Sequence, residues 1–240
     1  MENNIKNILS KNIKNGKKML AILIDPDKAD LNHLNKILAP HNLPKIDLIL
    51  VGGSVLTKGN IDEVLSHIKS LTDKPCILFP GSPDQINPKA NAILLLALLS
   101  GRNPELLIGK HVESALRLKQ SNLEIISTAY ILIDGGNQTT VSYISGTTPI
   151  PADKPGLAAL TALAGEQLGK HIIYMDAGSG AKNPITQEVI STVRDLTTLP
   201  IVVGGGIRTA EGIKTAWQAG ADIVVIGNML ESNPEFLELI

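Results

Sequence analysis

Eight short apolar runs recur along this chain, most of them stopping at an acid, a glycine or a serine, and that rhythm constrains the fold more than any other feature. The first, Met19-Leu-Ala-Ile-Leu-Ile24, ends in Asp25-Pro-Asp-Lys28. A continuous rather than alternating apolar run is the mark of a strand buried on both faces. The pattern returns at residues 47–51, closed by Gly52-Gly-Ser54, at 75–79, closed by Pro80-Gly81, and at 91–99. It returns again at 124–133, closed by Asp134-Gly-Gly136, and at 171–176, 200–203 and 222–226, the last two closed by Gly204-Gly-Gly206 and Gly227-Asn228.

Between the runs lie segments with helical periodicity. Ile5, Ile8, Leu9 and Ile13 share one face of an opening helix over 4–14, whose lysines allow a membrane surface but whose apolar stripe favours packing on its own domain. Asn60-Ile-Asp-Glu63 reads as a capping box ahead of Ile61, Val64, Leu65, Ile68 and Leu71. Residues 104–119 predict a helix with Ile108, Val112, Ala115 and Leu116 inward, and further helices follow at 156–168, at 185–196, behind Thr209 and from Pro234. The Thr-, Ser-, Gly- and Pro-rich stretch 137–155 reads as a long loop or partly ordered flap of the kind that covers active sites.

Parallel strands need helical crossovers, and a closed sheet removes its edges. Eight strands, nearly all followed by helical segments, in 240 residues therefore predict an α/β fold, a single-domain (β/α)8 TIM barrel. A doubly wound open sheet is the alternative, but it normally places a glycine fingerprint after the first strand, where this chain has Asp25-Pro26.

Composition narrows the function. The 22 Lys plus Arg nearly cancel the 23 Asp plus Glu, and two Phe, one Trp and three Tyr offer few stacking platforms, so nucleic acid is not an expected partner. The lone Cys76 sits among apolar residues and reads as a core thiol in a reducing, cytoplasmic setting; no signal-peptide pattern opens the chain. The longest apolar run, 92–99, falls well short of the roughly 20 residues a membrane span requires.

In such a barrel the carboxyl ends of the strands share one face, and the glycines after strands seven and eight are placed for a phosphate site. That face collects Gly204, Gly205, Gly206, Gly227 and Asn228 with the stretch Tyr174, Met175, Asp176, Ala177, Gly178, Ser179 and Gly180. Tight βα turns without a ligand would leave the same glycines. Asp25 and Ser54 supply a carboxylate and a hydroxyl suited to magnesium, or else a helix cap and a turn hydroxyl. His33, His41, His67, His111 and His171 fall away from the predicted rim, and no zinc spacing or histidine triad emerges.

Taken together, the rim segments resemble the geranylgeranylglyceryl phosphate synthase family, which includes bacterial heptaprenylglyceryl phosphate synthases. The resemblance runs nearly end to end. It is carried by Ala21-Ile-Leu-Ile-Asp-Pro-Asp-Lys28, Val51-Gly-Gly-Ser54, Phe79-Pro-Gly81, Ser100-Gly-Arg-Asn-Pro104, Tyr174-Met-Asp-Ala-Gly-Ser-Gly180, Val203-Gly-Gly-Gly-Ile-Arg208 and Val225-Ile-Gly-Asn228. It implies magnesium-dependent transfer of a long prenyl group, geranylgeranyl diphosphate being the expected donor, to the third-carbon hydroxyl of sn-glycerol 1-phosphate. Asp25 and Ser54 would hold Mg2+, Tyr174 and Asp176 would be catalytic, and the 174–180, 204–206 and 227–228 segments would bind glycerol phosphate. A homo-oligomer, dimer or hexamer, is also expected, with transient membrane-surface contact for product release, though the residues fix neither. The family often carries Glu where this chain has Asp176, and some members carry Lys where it has Leu23. Residues near Phe79, 94–99 and 130–133 are the expected prenyl groove. Two other functions remain open on the residues alone: a non-catalytic phosphate-binding barrel, and a sugar-phosphate isomerase or aldolase.

Overall fold

The computed structural model describes residues 4–240. Strands β1 (Met19–Ile24), β2 (Leu48–Val51), β3 (Cys76–Leu78), β4 (Ala92–Leu98), β5 (Glu124–Leu132), β6 (Ile172–Asp176), β7 (Ile201–Gly204) and β8 (Ile223–Ile226) pair in parallel and in chain order. β8 returns to β1, with Met19 opposite Ile223 and Ile22 opposite Ile226, so the barrel is closed as the sequence predicts. Around it lie α1 (Ile5–Lys14), α2 (Leu31–Ile37), α3 (Ile61–Leu71), α4 (Lys110–Ser121), α5 (Thr140–Ser145), α6 (Pro155–Gln167), α7 (Gln187–Leu196), α8 (Ala210–Gln218) and α9 (Asn228–Ser232).

Strand alternation sorts the apolar residues into two layers. Met19, Ala21, Leu48, Leu50, Leu94, Tyr130, Tyr174 and Val225 fill the barrel, whereas Leu20, Ile22, Ile49, Ile131, Met175 and Val224 pack against the helices. This is why the strand runs look uniformly apolar in sequence. Helix α1 closes the bottom: Ile5 and Leu9 join the interior layer, and the Ile5 and Lys6 amides donate to the Glu124 carboxylate at the start of β5. Burying those two side chains contributes about 1.5–3 kcal/mol each. Asn60 caps α3 and Thr209 caps α8, each accepting from the first-turn amides.

Two expectations are corrected. The inward face assigned to residues 104–119 points outward: Ile108, Val112 and Leu116 are 58, 70 and 67 % exposed, while Ser114 and Leu118 are buried. The segment carries two stripes, and it opens with a π-helical turn over Glu105–Gly109. The 137–155 stretch is not simply a loop, for Thr139 and Ser142 form a reciprocal cap on α5, and Ile133 bridges to Ile150. The short terminal helix expected from Pro234 is present as a 3-10 helix, preceded by the short α9.

One βα unit lacks its helix. Between β3 and β4 there is only the 3-10 turn Pro83–Gln85. α4 leans over this seam, and Arg117 donates to the Ile86 carbonyl at 2.8 Å. Among the described residues no helix is long and apolar enough to cross a membrane.

Candidate active site

A cavity of about 350 Å³ opens at the carboxyl ends of the strands. Its floor is aromatic. Phe79 stacks on Tyr174 with ring centroids 4.9 Å apart and planes 10° apart, and Tyr130 meets both rings edge-on at 5.7 and 5.6 Å. Tyr174 and Asp176 are two residues apart on β6, so both point inward, while Met175 between them packs against the helical layer.

Asp176 is buried and fully engaged. Its Oδ2 accepts from the Tyr130 hydroxyl at 2.6 Å and its Oδ1 from the Gly178 amide at 2.7 Å. Burial raises its carboxyl above the ordinary carboxylate value, and the bonds from Tyr130 and Gly178 draw it part of the way back. Burial, reinforced by the charge of Asp176, pushes the Tyr130 and Tyr174 hydroxyls well up, so both remain protonated at neutral pH. The site thus holds a carboxylate poised to take a proton beside a hydroxyl that stays a donor.

One wall is a set of glycine turns. Gly205 and Gly206 have φ of +84° and +72°, and a Cβ on Gly205 would lie 2.7 Å from the Gly178 nitrogen and 2.8 Å from Asp176 Oδ1. Only glycine lets the β6 and β7 turns approach this closely. Ser179 Oγ donates to Asn228 Oδ1 at 2.9 Å, and Arg208 ties the same wall together through the carbonyls of Ala181 and Lys182.

The opposite wall carries Asp25 and Ser54 at the ends of β1 and β2. Asp25 Oδ1 accepts from the Asp27 amide at 3.0 Å, Oδ2 lies 3.6 Å from Lys28 Nζ, and neither Oδ2 nor Ser54 Oγ has a hydrogen-bond partner among the described residues. These are hard oxygen donors with free valence, which fits a magnesium ion otherwise bound by substrate oxygens and water. No group of three or more His, Cys, Asp or Glu positioned for a metal occurs among the described residues.

Of the residues singled out from sequence, Asp25, Ser54, Tyr174, Asp176, Ser179, Gly180, Gly205, Gly206, Gly227 and Asn228 all line the cavity. Met175, Ala177, Gly178 and Gly204 do not. Met175 and Ala177 pack in the helical layer, Gly178 caps Asp176 and lies against Thr139, and the Gly204 carbonyl accepts from the Ala177 amide. The sequence reading gave no role to Asp27, Lys28, Arg208 and Glu231, which also line the cavity. Two of these stand in the Asp25-Pro-Asp-Lys28 motif and one ends the 203–208 motif, so proximity to a motif was the available signal. Cys76 is buried, and burial pushes its thiol up to about 11.

A second, mainly apolar groove of about 150 Å³ leaves the cavity beneath α4 and α5, lined by Ile86, Leu94, Leu98, Leu106 and Ile144. It runs beside the seam that lacks a helix. Ser54, Pro80, Gly81, Leu96, Tyr130 and Val141 belong to both spaces.

The model of the PcrB family matches residues 12–239. The chain belongs to this family of prenylglyceryl phosphate synthases. It is 50 % identical over 238 residues to the geranylgeranylglyceryl phosphate synthase of Chitinophaga pinensis, covering 99 % of this chain and 94 % of that one. It is 49 % identical to that of Spirosoma linguale, covering 92 and 89 %. Among solved structures it superposes on (S)-3-O-geranylgeranylglyceryl phosphate synthase from Thermoplasma acidophilum, which holds its substrate sn-glycerol-1-phosphate, with TM-score 0.90 and 33 % identity over 98 % of this chain and 95 % of that one. The family membership agrees with the resemblance read from the rim motifs.

Proposed function

We propose that this enzyme joins a long prenyl chain, with geranylgeranyl diphosphate as donor, to the third-carbon hydroxyl of sn-glycerol 1-phosphate through an ether bond. The observation that carries the reading is the division of one cavity into a glycine wall, a buried carboxylate and a carboxylate–hydroxyl pair, with an apolar groove leading out between them. A barrel that only held a phosphate would have no use for the groove or for the pair Asp25 and Ser54.

The glycine wall, with Tyr174, Gly180, Gly205, Gly206, Gly227 and Asn228, grips the phosphate of the acceptor and fixes its hydroxyl near Asp176. Asp176 takes the hydroxyl proton as oxygen bonds to the first prenyl carbon, and the bond from that carbon to the diphosphate breaks with its electrons leaving on the diphosphate. Asp25 and Ser54 would hold magnesium, which supplies charge compensation to the departing diphosphate. Tyr130 orients Asp176 through its hydroxyl, and the aromatic floor keeps water from the reacting carbon. The apolar groove takes the tail of the donor.

The protein works as a homo-oligomer in the cytoplasm. The face that covers its own copy is apolar and exposed: Ile108 in the turn before α4, Val112 and Leu116 on α4, and Leu157, Leu160 and Leu168 on and after α6, from 48 to 70 % exposed. Small residues on the other side of α6 explain the arrangement, since Ala158, Ala159, Ala162 and Gly165 bring it tight against the barrel and leave the leucines outside.

The decisive experiment incubates the protein with prenyl diphosphates of graded length and either sn-glycerol 1-phosphate or its mirror-image isomer, with and without magnesium. Ether product is expected only with glycerol 1-phosphate and magnesium, and best with the twenty-carbon donor. Absence of ether product from every mixture would overturn the reading.

A further inference from the structure

Asp27 lines the cavity, yet its carboxylate is turned to the protein. Oδ1 accepts from the amides of Lys58 at 3.0 Å and Gly59 at 2.6 Å, and Oδ2 accepts from the Thr57 amide at 2.8 Å and its hydroxyl at 2.7 Å. Three successive amides and a hydroxyl from the loop after β2 therefore converge on one side chain from the loop after β1. The two loops also touch backbone to backbone. A Cβ on Gly59 would lie 2.3 Å from the carbonyl of Pro26, so nothing larger than glycine fits between them.

What this clamp joins is informative. At the root of the first loop stands Asp25, whose Oδ1 accepts from the amide of Asp27 itself, and at the root of the second stands Ser54. The two donors come from different strands and share no hydrogen bond with each other; their loops are tied by Asp27, two residues past Asp25, to Thr57, Lys58 and Gly59, three to five residues past Ser54. We propose that Asp27 is a positioning residue for the magnesium–diphosphate half of the site: it holds Asp25 and Ser54 at a fixed separation and turns Asp25 so that Oδ2 stays free for the cation. The inference rests on the reading that Asp25 and Ser54 bind magnesium. It assigns Asp27 no contact with metal or substrate. Its effect is confined to one wall, because the glycine wall is built from the β6, β7 and β8 turns and takes no hydrogen bond from the 54–59 loop.

The test measures binding of two probes by calorimetry, magnesium with inorganic pyrophosphate and sn-glycerol 1-phosphate, in the wild type and in Asp27→Asn, Thr57→Ala and Asp25→Asn. Groups that orient a metal ligand typically change metal affinity by about 10- to 100-fold. Asp27→Asn should weaken magnesium–pyrophosphate by at least about tenfold on that scale, and Thr57→Ala, which removes one of the bonds, should weaken it by less. Glycerol 1-phosphate should bind both variants within about twofold of wild type, which also shows that they fold. In turnover, KM for the prenyl diphosphate and the magnesium requirement should rise while KM for glycerol 1-phosphate stays put. Unchanged magnesium–pyrophosphate binding in Asp27→Asn, or equal weakening of both probes in both variants, would overturn the positioning role. If Asp25→Asn keeps magnesium–pyrophosphate affinity, the metal reading falls and the inference with it; if Asp25→Asn loses that affinity and Asp27→Asn keeps it, only the inference falls.

Discussion

Replacing Tyr130 with Phe removes one oxygen from the barrel mouth and leaves the ring behind. The edge-on contacts to Phe79 and Tyr174 survive, so the aromatic floor stays packed. What disappears is the 2.6 Å bond from the hydroxyl to Asp176 Oδ2. A hydrogen bond to a charged group contributes about 1.5–3 kcal/mol, and one pKa unit corresponds to about 1.36 kcal/mol. The Asp176 carboxyl, already raised by burial and drawn part of the way back by this bond, should therefore move up further. The sign follows from the proton: Asp176 must be ionised to accept one, so a higher pKa carries the acid limb of the rate profile to higher pH. Initial rates of ether formation from pH 5 to 9, at matched magnesium and saturating donor, measure it. The acceptor phosphate also titrates in this range, but it does so identically with both proteins, so the difference between their profiles belongs to the enzyme. Tyr130→Phe should lose activity first at the acid end and retain most of it at the alkaline plateau. Superimposed profiles, or an acid limb displaced to lower pH, would refute the assignment of Asp176 as the base.

Three further outcomes are expected. Gly205→Ala puts a side chain at φ +84° and drives its Cβ to within 2.8 Å of the Ala177 and Gly178 nitrogens and Asp176 Oδ1; the left-handed conformation alone costs about 1–2 kcal/mol, and calorimetry should show glycerol 1-phosphate affinity lost by more than about tenfold while magnesium–pyrophosphate still binds. Asp176→Asn should cut turnover by about 10²–10⁴-fold and raise Tm at pH 7. A carboxyl whose folded value is raised withholds stability above that value and gives it back below the unfolded value of about 3.9, so the Tm gain should shrink toward pH 4 in scanning calorimetry. Val112→Glu with Leu116→Glu, both at exposed positions, should leave the barrel folded by circular dichroism and reduce the mass seen by light scattering to that of one chain.

The closed barrel was legible in the chain because its strands are buried on both faces and stop at polar rims, a pattern visible without coordinates. The cavity was legible by the same logic, since residues that end apolar runs must gather on one face. Direction was harder to read. Tyr174, Met175 and Asp176 are consecutive, and their sequence does not say that the outer two point into the barrel and the middle one away; the pairing of Tyr130 with Tyr174 and of Ile131 with Met175 decides it. Helix α4 misled for a related reason. Periodicity finds an apolar stripe but does not distinguish a face that meets its own barrel from one left for another surface, and here the more apolar stripe is the exposed one. The role of Asp27 lies in a contact across 30 residues and two loops, a pairing that no local pattern encodes.

The place of reaction follows from the intersection of two shapes. The polar cavity sorts charge: Asp25 and Ser54 on one side, the glycine wall on the other, and Asp176 between them and the floor. The apolar groove beneath α4 and α5 runs along the seam where β3 is followed by a turn in place of a helix. A substrate with a diphosphate head and a hydrocarbon tail must lie across both, and the carbon joining head to tail must rest where they meet. Tyr130 lines both spaces, and its hydroxyl donates to Asp176. On the reaction proposed above, the missing helix leaves room for the donor's tail. A fully sheathed barrel with the same glycine turns and the same carboxylates would bind the acceptor, but would have no path by which a long apolar donor could bring its first carbon within reach of Asp176.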